Sequence, residues 1–381
     1  MTLGNNSSET KIDSVVACTV SVPLSESVSF STRRITSRDY TLVKVLSNDG
    51  IEGLGFCYGG GSGGSLVTEA VRGLLAPLLL GLDPYQVEGL WRAMYQESLL
   101  HGRAGSVMRA ISAIDIALWD RNARAANLPL YKYLGSFHTD EVSAYVSGGY
   151  YLDGKTPDML GEEAARYVDM GFDAIKIKVG RLDPNSEEER ISRVREAIGP
   201  DILLMLDANN TWSDLPTALR FMKRVEPYDP YWIEEPFSPD DIENHARLAE
   251  LTPVPVATGE IEAGRWRHKE LLEKGAAAIL QTDAAVCGGI TEFRRISAVA
   301  DVYGVTMSPH WFHDLHVHLV AATPNARFVE YFPDDAVLNF RRLIDRQLEV
   351  HKGRLRLPSL PGLGFGFDEE IVAELSHDGW R

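Results

Sequence analysis

From about Val142 onward the chain repeats one pattern eight times: a short apolar run rich in β-formers, a polar residue ending most of the runs, and in most intervals an amphipathic helix pattern. The runs are 144–146, 174–178, 203–207, 231–234, 254–258, 278–283, 305–308 and 327–330. Helix patterns between them stop at glycine, as at Gly199, Gly275 and Gly304. Strand and helix units recurring every ~20–30 residues are what a closed parallel β/α barrel requires. A doubly wound open sheet uses the same unit, and eight of them favour the barrel.

The opening third has a different texture. Thr41-Leu-Val-Lys-Val-Leu and Ile51-Glu-Gly-Leu-Gly-Phe alternate on either side of Asn48-Asp49-Gly50, which reads as a β-hairpin. A helix pattern follows over 107–127. The expected division is an α+β domain over 1–135, a modified β/α barrel over 136–346, and a segment over 347–381 that returns to the first domain. The 381 residues are ample for this, and the chain reads as globular apart from the polar start Gly4-Asn5-Asn6-Ser7-Ser8.

A net charge of −16 argues against a nucleic-acid footprint or an anionic membrane surface, both of which need clustered Lys and Arg. Cys18, Cys57 and Cys287 are odd in number and far apart, so neither a disulfide framework nor a CxxC metal site is indicated. The start lacks a basic segment followed by an apolar core, and the apolar run 74–82 is short and broken by Pro77. A cytoplasmic protein is expected.

In a β/α barrel, catalytic groups come from the C-terminal strand ends, which converge on one mouth. Those ends carry Lys176, Lys178, Asp207, Glu234, Glu260, Asp283, His310 and Glu330, all ionisable. Lys176 and Lys178 share one strand face. Confined together, their repulsion and desolvation would favour a neutral amine, which a general base needs; a lone KxK is otherwise a solvated pair. Asp207, Glu234 and Glu260 on successive strands would repel one another without a cation, and such hard oxygen ligands suit Mg²⁺. Singly, each could be a cap or a surface acid. Asp283 is placed to hold the His310 imidazole. His316-Val-His318 would not share a helix face, which speaks against a metal pair. Gly59-Gly-Gly61-Ser-Gly-Gly64 satisfies GxGxxG, yet the strand before it belongs to a hairpin; a glycine loop over the barrel mouth is the better reading.

Taken together, Lys176-Ile-Lys178-Val-Gly, Asp207-Ala-Asn209, Trp232-Ile-Glu234-Glu-Pro, Thr258-Gly-Glu260, Asp283 with Gly288-Gly-Ile, Ser308-Pro-His310 and Glu330 resemble the enolase superfamily and, within it, the mandelate racemase group. Ala113-Ile-Asp-Ile-Ala-Leu-Trp119-Asp extends the likeness into the first domain. The resemblance implies a (β/α)7β barrel under an α+β capping domain. It implies Mg²⁺ on Asp207, Glu234 and Glu260, with Lys178 and the His310/Asp283 dyad as the two bases. Lys176 and Glu330 would polarise the substrate carboxylate, and Asn209 would join them in binding it. Residues 25–34 and 58–65 would be cap loops that choose the substrate, with Arg33, Arg34 and Tyr58 as candidate contacts.

The expected activity is removal of the proton α to a carboxylate, leading to dehydration of an aldonate or aldarate to a 2-keto-3-deoxy acid. Racemisation or epimerisation of a 2-hydroxy acid needs the same residues, and a non-catalytic sugar-acid binding protein is a remote third reading. The expected partner is a small carboxylate, with neither nucleic acid nor membrane, and the chain is expected to form a homo-oligomer. Which of Lys178 and His310 takes the first proton is open, because it depends on the α-carbon configuration.

Overall fold

A computed structural model describes residues 10–138 and 140–381, so the polar start at 4–8 lies outside the described residues. Three long antiparallel strands come first: β1 (Ile12–Phe30), β2 (Arg33–Ser47) and β3 (Glu52–Gly60), in the order β1-β2-β3. The hairpin expected around Asn48-Asp49-Gly50 joins β2 to β3, and Gly50 supplies the positive φ of 79° that its turn needs.

Residues 25–34, expected as a loop, are instead mostly a β-ribbon. Val28 pairs with Ile35, Ser29 with Arg34 and Phe30 with Arg33, leaving only Ser31-Thr32 as the turn. The ladder shifts register between Pro23 and Val28, where proline lacks the N–H that pairing needs. The ribbon tip reaches across to the second half of the chain: Ser29 bridges Tyr151, and the Ser31 hydroxyl donates to the Val179 carbonyl.

Helix Gly105–Ala125 packs on this sheet through an unusually close approach. A Cβ on Gly55 would stand 1.8 Å from the Ala113 carbonyl oxygen, and one on Gly53 would stand 2.0 Å from that of Ala117. The far side of the same helix meets the barrel. The Asp115 carboxylate accepts hydrogen bonds from Thr291 N (2.9 Å) and Thr291 Oγ1 (2.6 Å), and Trp119 Nε1 donates to Thr291 Oγ1.

The barrel strands are β4 (Glu141–Gly148), β5 (Ala174–Lys178), β6 (Leu203–Asp207), β7 (Pro230–Glu234), β8 (Val256–Thr258), β9 (Ile279–Leu280), β10 (Thr306–Met307) and β11 (Val329–Tyr331). Each is parallel to its sequence neighbour from β4 to β10, and β11 pairs with β4. Closure comes from the residues just before β11: Met307 N donates to Asn325 O and Arg327 N to Met307 O. All eight strands fall on the eight runs in the sequence.

Alternation along each strand separates two layers. Ile175, Ile177, Leu204, Leu206, Ile233 and Val256 point outward into one core beneath the helices. Tyr145, Ala174, Met205, Trp232, Ala257 and Phe328 fill the barrel interior. Above that apolar plug, the next inward positions on β5, β6, β7 and β11 are charged: Lys176, Asp207, Glu234 and Glu330. Helices cross back after each of β4 to β10, whereas β11 is followed only by a 3₁₀ turn at Phe340–Leu343, so the fold is (β/α)7β.

After β11 the chain forms β12 (Val350–His351) and β13 (Arg354–Arg356), with β13 antiparallel beside the start of β4. It then runs back to the first sheet: Leu363 N donates to Asp120 Oδ1 (2.6 Å), and Ala17 and Arg381 exchange backbone hydrogen bonds. The three cysteines are free and buried, and burial pushes the Cys18 and Cys57 thiols up to about 12. Among the described residues no helix is long and apolar enough to cross a membrane.

Candidate active site

The period of two on β5 turns Ala174, Lys176 and Lys178 toward the barrel axis. Strand register then sets Lys178 beside Asp207, and Asp207 beside Glu234. Lys178 Nζ contacts Asp207 Oδ2 directly. Lys176 Nζ lies 2.6 Å from Glu234 Oε1, 2.7 Å from Glu330 Oε1 and 3.7 Å from Asp207 Oδ2. Lys176 is 0% exposed and lies below the cavity surface, whereas Lys178 opens onto it.

The neutral lysine expected from mutual repulsion is not present in this arrangement. Burial is the largest single effect and acts to lower both amines, but Asp207, Tyr150 and Glu234 together outweigh it at Lys178, and Glu234, Glu330, Tyr145 and Asp207 together outweigh it at Lys176, so both are raised. The opposing effect falls on the acids. Burial and the adjacent Asp207 push Glu234 well above the usual carboxylate range, while Asp207, despite its burial, is held low by Lys178 and Lys176. The cluster has an excess of negative charge.

Asp283 caps helix Ala284–Cys287 through Oδ1, which accepts from Ala285 N (2.8 Å). Its Oδ2 lies 3.1 Å from His310 Nδ1, and His310 Nε2 lies 3.4 Å from Glu260 Oε1. Burial lowers the imidazole, yet Glu260, Asp283 and Glu330 together raise it above its ordinary 6.5. Glu330 accepts from Trp311 N through Oε2 (2.7 Å) and is held low, against its burial, chiefly by Lys176. His316 accepts from Ala284 N and faces Trp311 O, while His318 accepts from Tyr131 N and faces Leu363 O, so backbone groups engage both rings.

Among the described residues no three His, Cys, Asp or Glu side chains already close around a cation position. The two lysine ammoniums occupy Asp207 and Glu234, two of the carboxylates that would do so. The donor set nevertheless fits a hard divalent ion: Asp207, Glu234 and Glu260 offer oxygens, Glu260 Oε2 and Glu235 Oε1 are buried without a partner, and the excess negative charge needs a cation.

A cavity of about 230 Å³ lies between the barrel mouth and the first sheet. Lys178, Glu260, Asp283, His310 and Glu330 line its floor, with Asn209 at its edge. The roof includes Phe30, Arg33, Ile35, Arg38, Tyr58 and Arg109. Arg33 and Tyr58 are therefore at the cavity, whereas Arg34 turns away to Ser27 and Asp153. Gly60 and Gly61 line the mouth, and the turn after them is tied down because Gly63 N and Gly64 N both donate to Asp39 Oδ2 (2.9 and 3.1 Å).

The wall residues that were not singled out from the sequence include Arg38, Arg109, Tyr150, Asn210, Glu235 and Trp311. Tyr150 stands two residues past the end of β4, so its position at a strand's C-terminal end was the available signal. Asn209, Asn210, Glu235 and Trp311 all have positive φ (43°, 63°, 41° and 60°), so strained backbone collects at this cavity.

Residues 12–135 match the family model of the mandelate racemase / muconate lactonizing enzyme N-terminal domain, and 159–371 match that of the enolase C-terminal domain-like family. The chain is 36% identical over 354 residues to L-talarate/galactarate dehydratase of Salmonella typhimurium, covering 92% of this chain and 86% of that protein. It is 35% identical over 338 residues to arabinonate dehydratase of Saccharolobus solfataricus, covering 87% and 89%. The crystal structure of the Salmonella typhimurium LT2 L-talarate/galactarate dehydratase liganded with Mg and L-lyxarohydroxamate superposes with a TM-score of 0.90 at 32% identity, covering 99% of this chain and 95% of that one.

Proposed function

The chain belongs to the mandelate racemase / muconate lactonizing enzyme family of the enolase superfamily, and we propose from that premise that it dehydrates a sugar acid to a 2-keto-3-deoxy acid. The observation that carries this reading is one cavity lined by both Lys178, at the end of β5, and His310, three residues past the end of β10, across the barrel mouth from each other. Between them, Glu260 and Glu330 also line it.

Asp207, Glu234 and Glu260 would hold Mg²⁺, as the relative solved with Mg suggests. Bound there, the ion would supply positive charge beside the substrate carboxylate, where negative charge grows as the α-proton leaves. With Asp207 engaged as a ligand, the pairing that keeps Lys178 protonated is relieved. Burial, the largest effect on that amine, and Lys176 would then favour the neutral form against the smaller opposing effects of Tyr150 and Glu234. Lys176, paired with Glu330, sits beneath the floor, where it would polarise the carboxylate; Asn209 at the rim would bind it.

In the reaction the α C–H bond breaks, and its proton passes to Lys178 or to His310 according to the α-carbon configuration. The electron pair enters the ene-diolate and then forms the α,β double bond as the β C–O bond breaks. His310 gives its proton to the departing hydroxyl, which leaves as water, and the resulting enol becomes the 2-keto acid. Bases on two sides of one carbon could also racemise it. Incubation with a library of sugar acids and Mg²⁺, followed by a 2-keto-acid assay, tests dehydration; no product from any member would sink it. Deuterium entering the α-position with inversion of configuration and without loss of hydroxyl would establish racemisation instead.

A further inference from the structure

The cavity is divided by charge. Its barrel floor carries four carboxylates, Glu235, Glu260, Asp283 and Glu330, whereas its roof carries three arginines, Arg33, Arg38 and Arg109, and no acid. A substrate carboxylate held for α-proton removal would lie at the floor, so whatever faces the roof is the far end of the same molecule.

Arg38 is the informative member. It is only 2% exposed, and its guanidinium lies over the rings of Trp311 (4.3 Å to the centroid) and Tyr58 (5.2 Å). Nε donates to the Val337 carbonyl (2.6 Å), which fixes the plane of the group. The two terminal nitrogens have no hydrogen-bond partner among the described residues. Other buried arginines have acids: Arg121 pairs with Asp49 and Arg190 with Glu187. The neighbouring Asp39 is no substitute, since its carboxylate is taken up by Ser21 Oγ, Gly63 N and Gly64 N. A guanidinium fixed in orientation, with no acid partner and its terminal nitrogens open to the cavity, is placed to receive an anion there, and a planar fork suits a carboxylate.

We infer that this site takes a dicarboxylic sugar acid, an aldarate, whose distal carboxylate is received by Arg38 with Arg33 and Arg109 beside it. This rests on the dehydratase reading and narrows it, because an aldonate would present a neutral CH₂OH to an unpaired charge.

The test compares galactarate with galactonate, and glucarate with gluconate, pairs that differ only at the far end. Binding to the Mg²⁺-loaded full chain is measured by calorimetry, alongside turnover. Wild type is expected to prefer the diacid of at least one pair by on the order of 100-fold. In Arg38→Gln that preference should fall to near one, and Arg38→Lys should recover part of it. Arg34→Gln removes the same charge outside the cavity and should keep the full preference. Circular dichroism and melting temperature establish that each variant is folded. Equal binding of both members of each pair by wild type, or an equal loss for diacid and monoacid in Arg38→Gln, would overturn the inference. Because binding is read separately, diacid selectivity with no turnover of any sugar acid in the library would refute the dehydratase reading and leave the aldarate assignment standing.

Discussion

At the residue scale, the consequential contact is that of His310 with Asp283, since expelling a hydroxyl as water requires a protonated imidazole. Activity of that kind falls as pH rises through the His310 pKa. Although burial alone would lower it, Glu260, Asp283 and Glu330 raise that pKa, which puts the alkaline fall above pH 6.5. Asp283→Asn removes one raising charge, so the fall in kcat should move to lower pH and kcat at pH 8 should drop by about 10²-fold or more. A profile that keeps its alkaline limb in the variant would show that Asp283 does not set the proton. The ionisable strand-end residues were legible in the sequence because a period of two needs no tertiary information. The charge state of Lys178 was not, because it depends on Asp207 brought alongside by register. Arg38 was hidden for a related reason: within β2 it looks like any solvated arginine, and only the fold covers it with Tyr58 and Trp311.

At the element scale, helix Gly105–Ala125 couples the sheet to the barrel. Burial pushes Asp115 up to about 7, against the lowering by its Thr291 hydrogen bonds. A carboxyl raised in the folded state contributes stability that is fully present below its ordinary 3.8 and is lost as pH rises through the folded value. Asp115→Asn cannot ionise, so its stability relative to wild type should improve by about 2 kcal/mol between pH 5 and pH 7.5. Thermal melts of both proteins across that range check this; parallel curves would refute it. Strands of the barrel were readable because each is an apolar run closed by a polar residue. The 25–30 half of β1 was not, since Ser25-Glu-Ser is polar and its pairing to β2 follows a register shift.

At the scale of the whole molecule, buried carboxylates gathered from β6, β7 and the end of β8 leave a negative excess that a divalent cation would relieve. Mg²⁺ binding only to the folded chain should therefore stabilise it by about 2.7 kcal/mol at a hundred times its Kd. Chelator-treated protein should melt higher with Mg²⁺ than with Na⁺ of equal ionic strength, and Glu234→Gln should lose most of that difference. No difference in the wild type would count against the metal assignment. The cavity belongs to the same scale, for its floor comes from strand ends spread over residues 178–330 and its roof from the first sheet and helix Gly105–Ala125. The sequence marks the floor clearly; the roof exists only once the sheet is folded over it.

The claim that Lys178 and His310 work on one carbon is tested most directly in D₂O with Mg²⁺ and a sugar acid that the wild type converts. The wild type should yield a 2-keto-3-deoxy acid. With a substrate whose α-proton Lys178 takes, folded Lys178→Ala and His310→Asn should each lose at least about 10³-fold in product formation, and His310→Asn, which keeps the base, should still exchange the α-proton for deuterium. Unimpaired product from either variant would contradict the account.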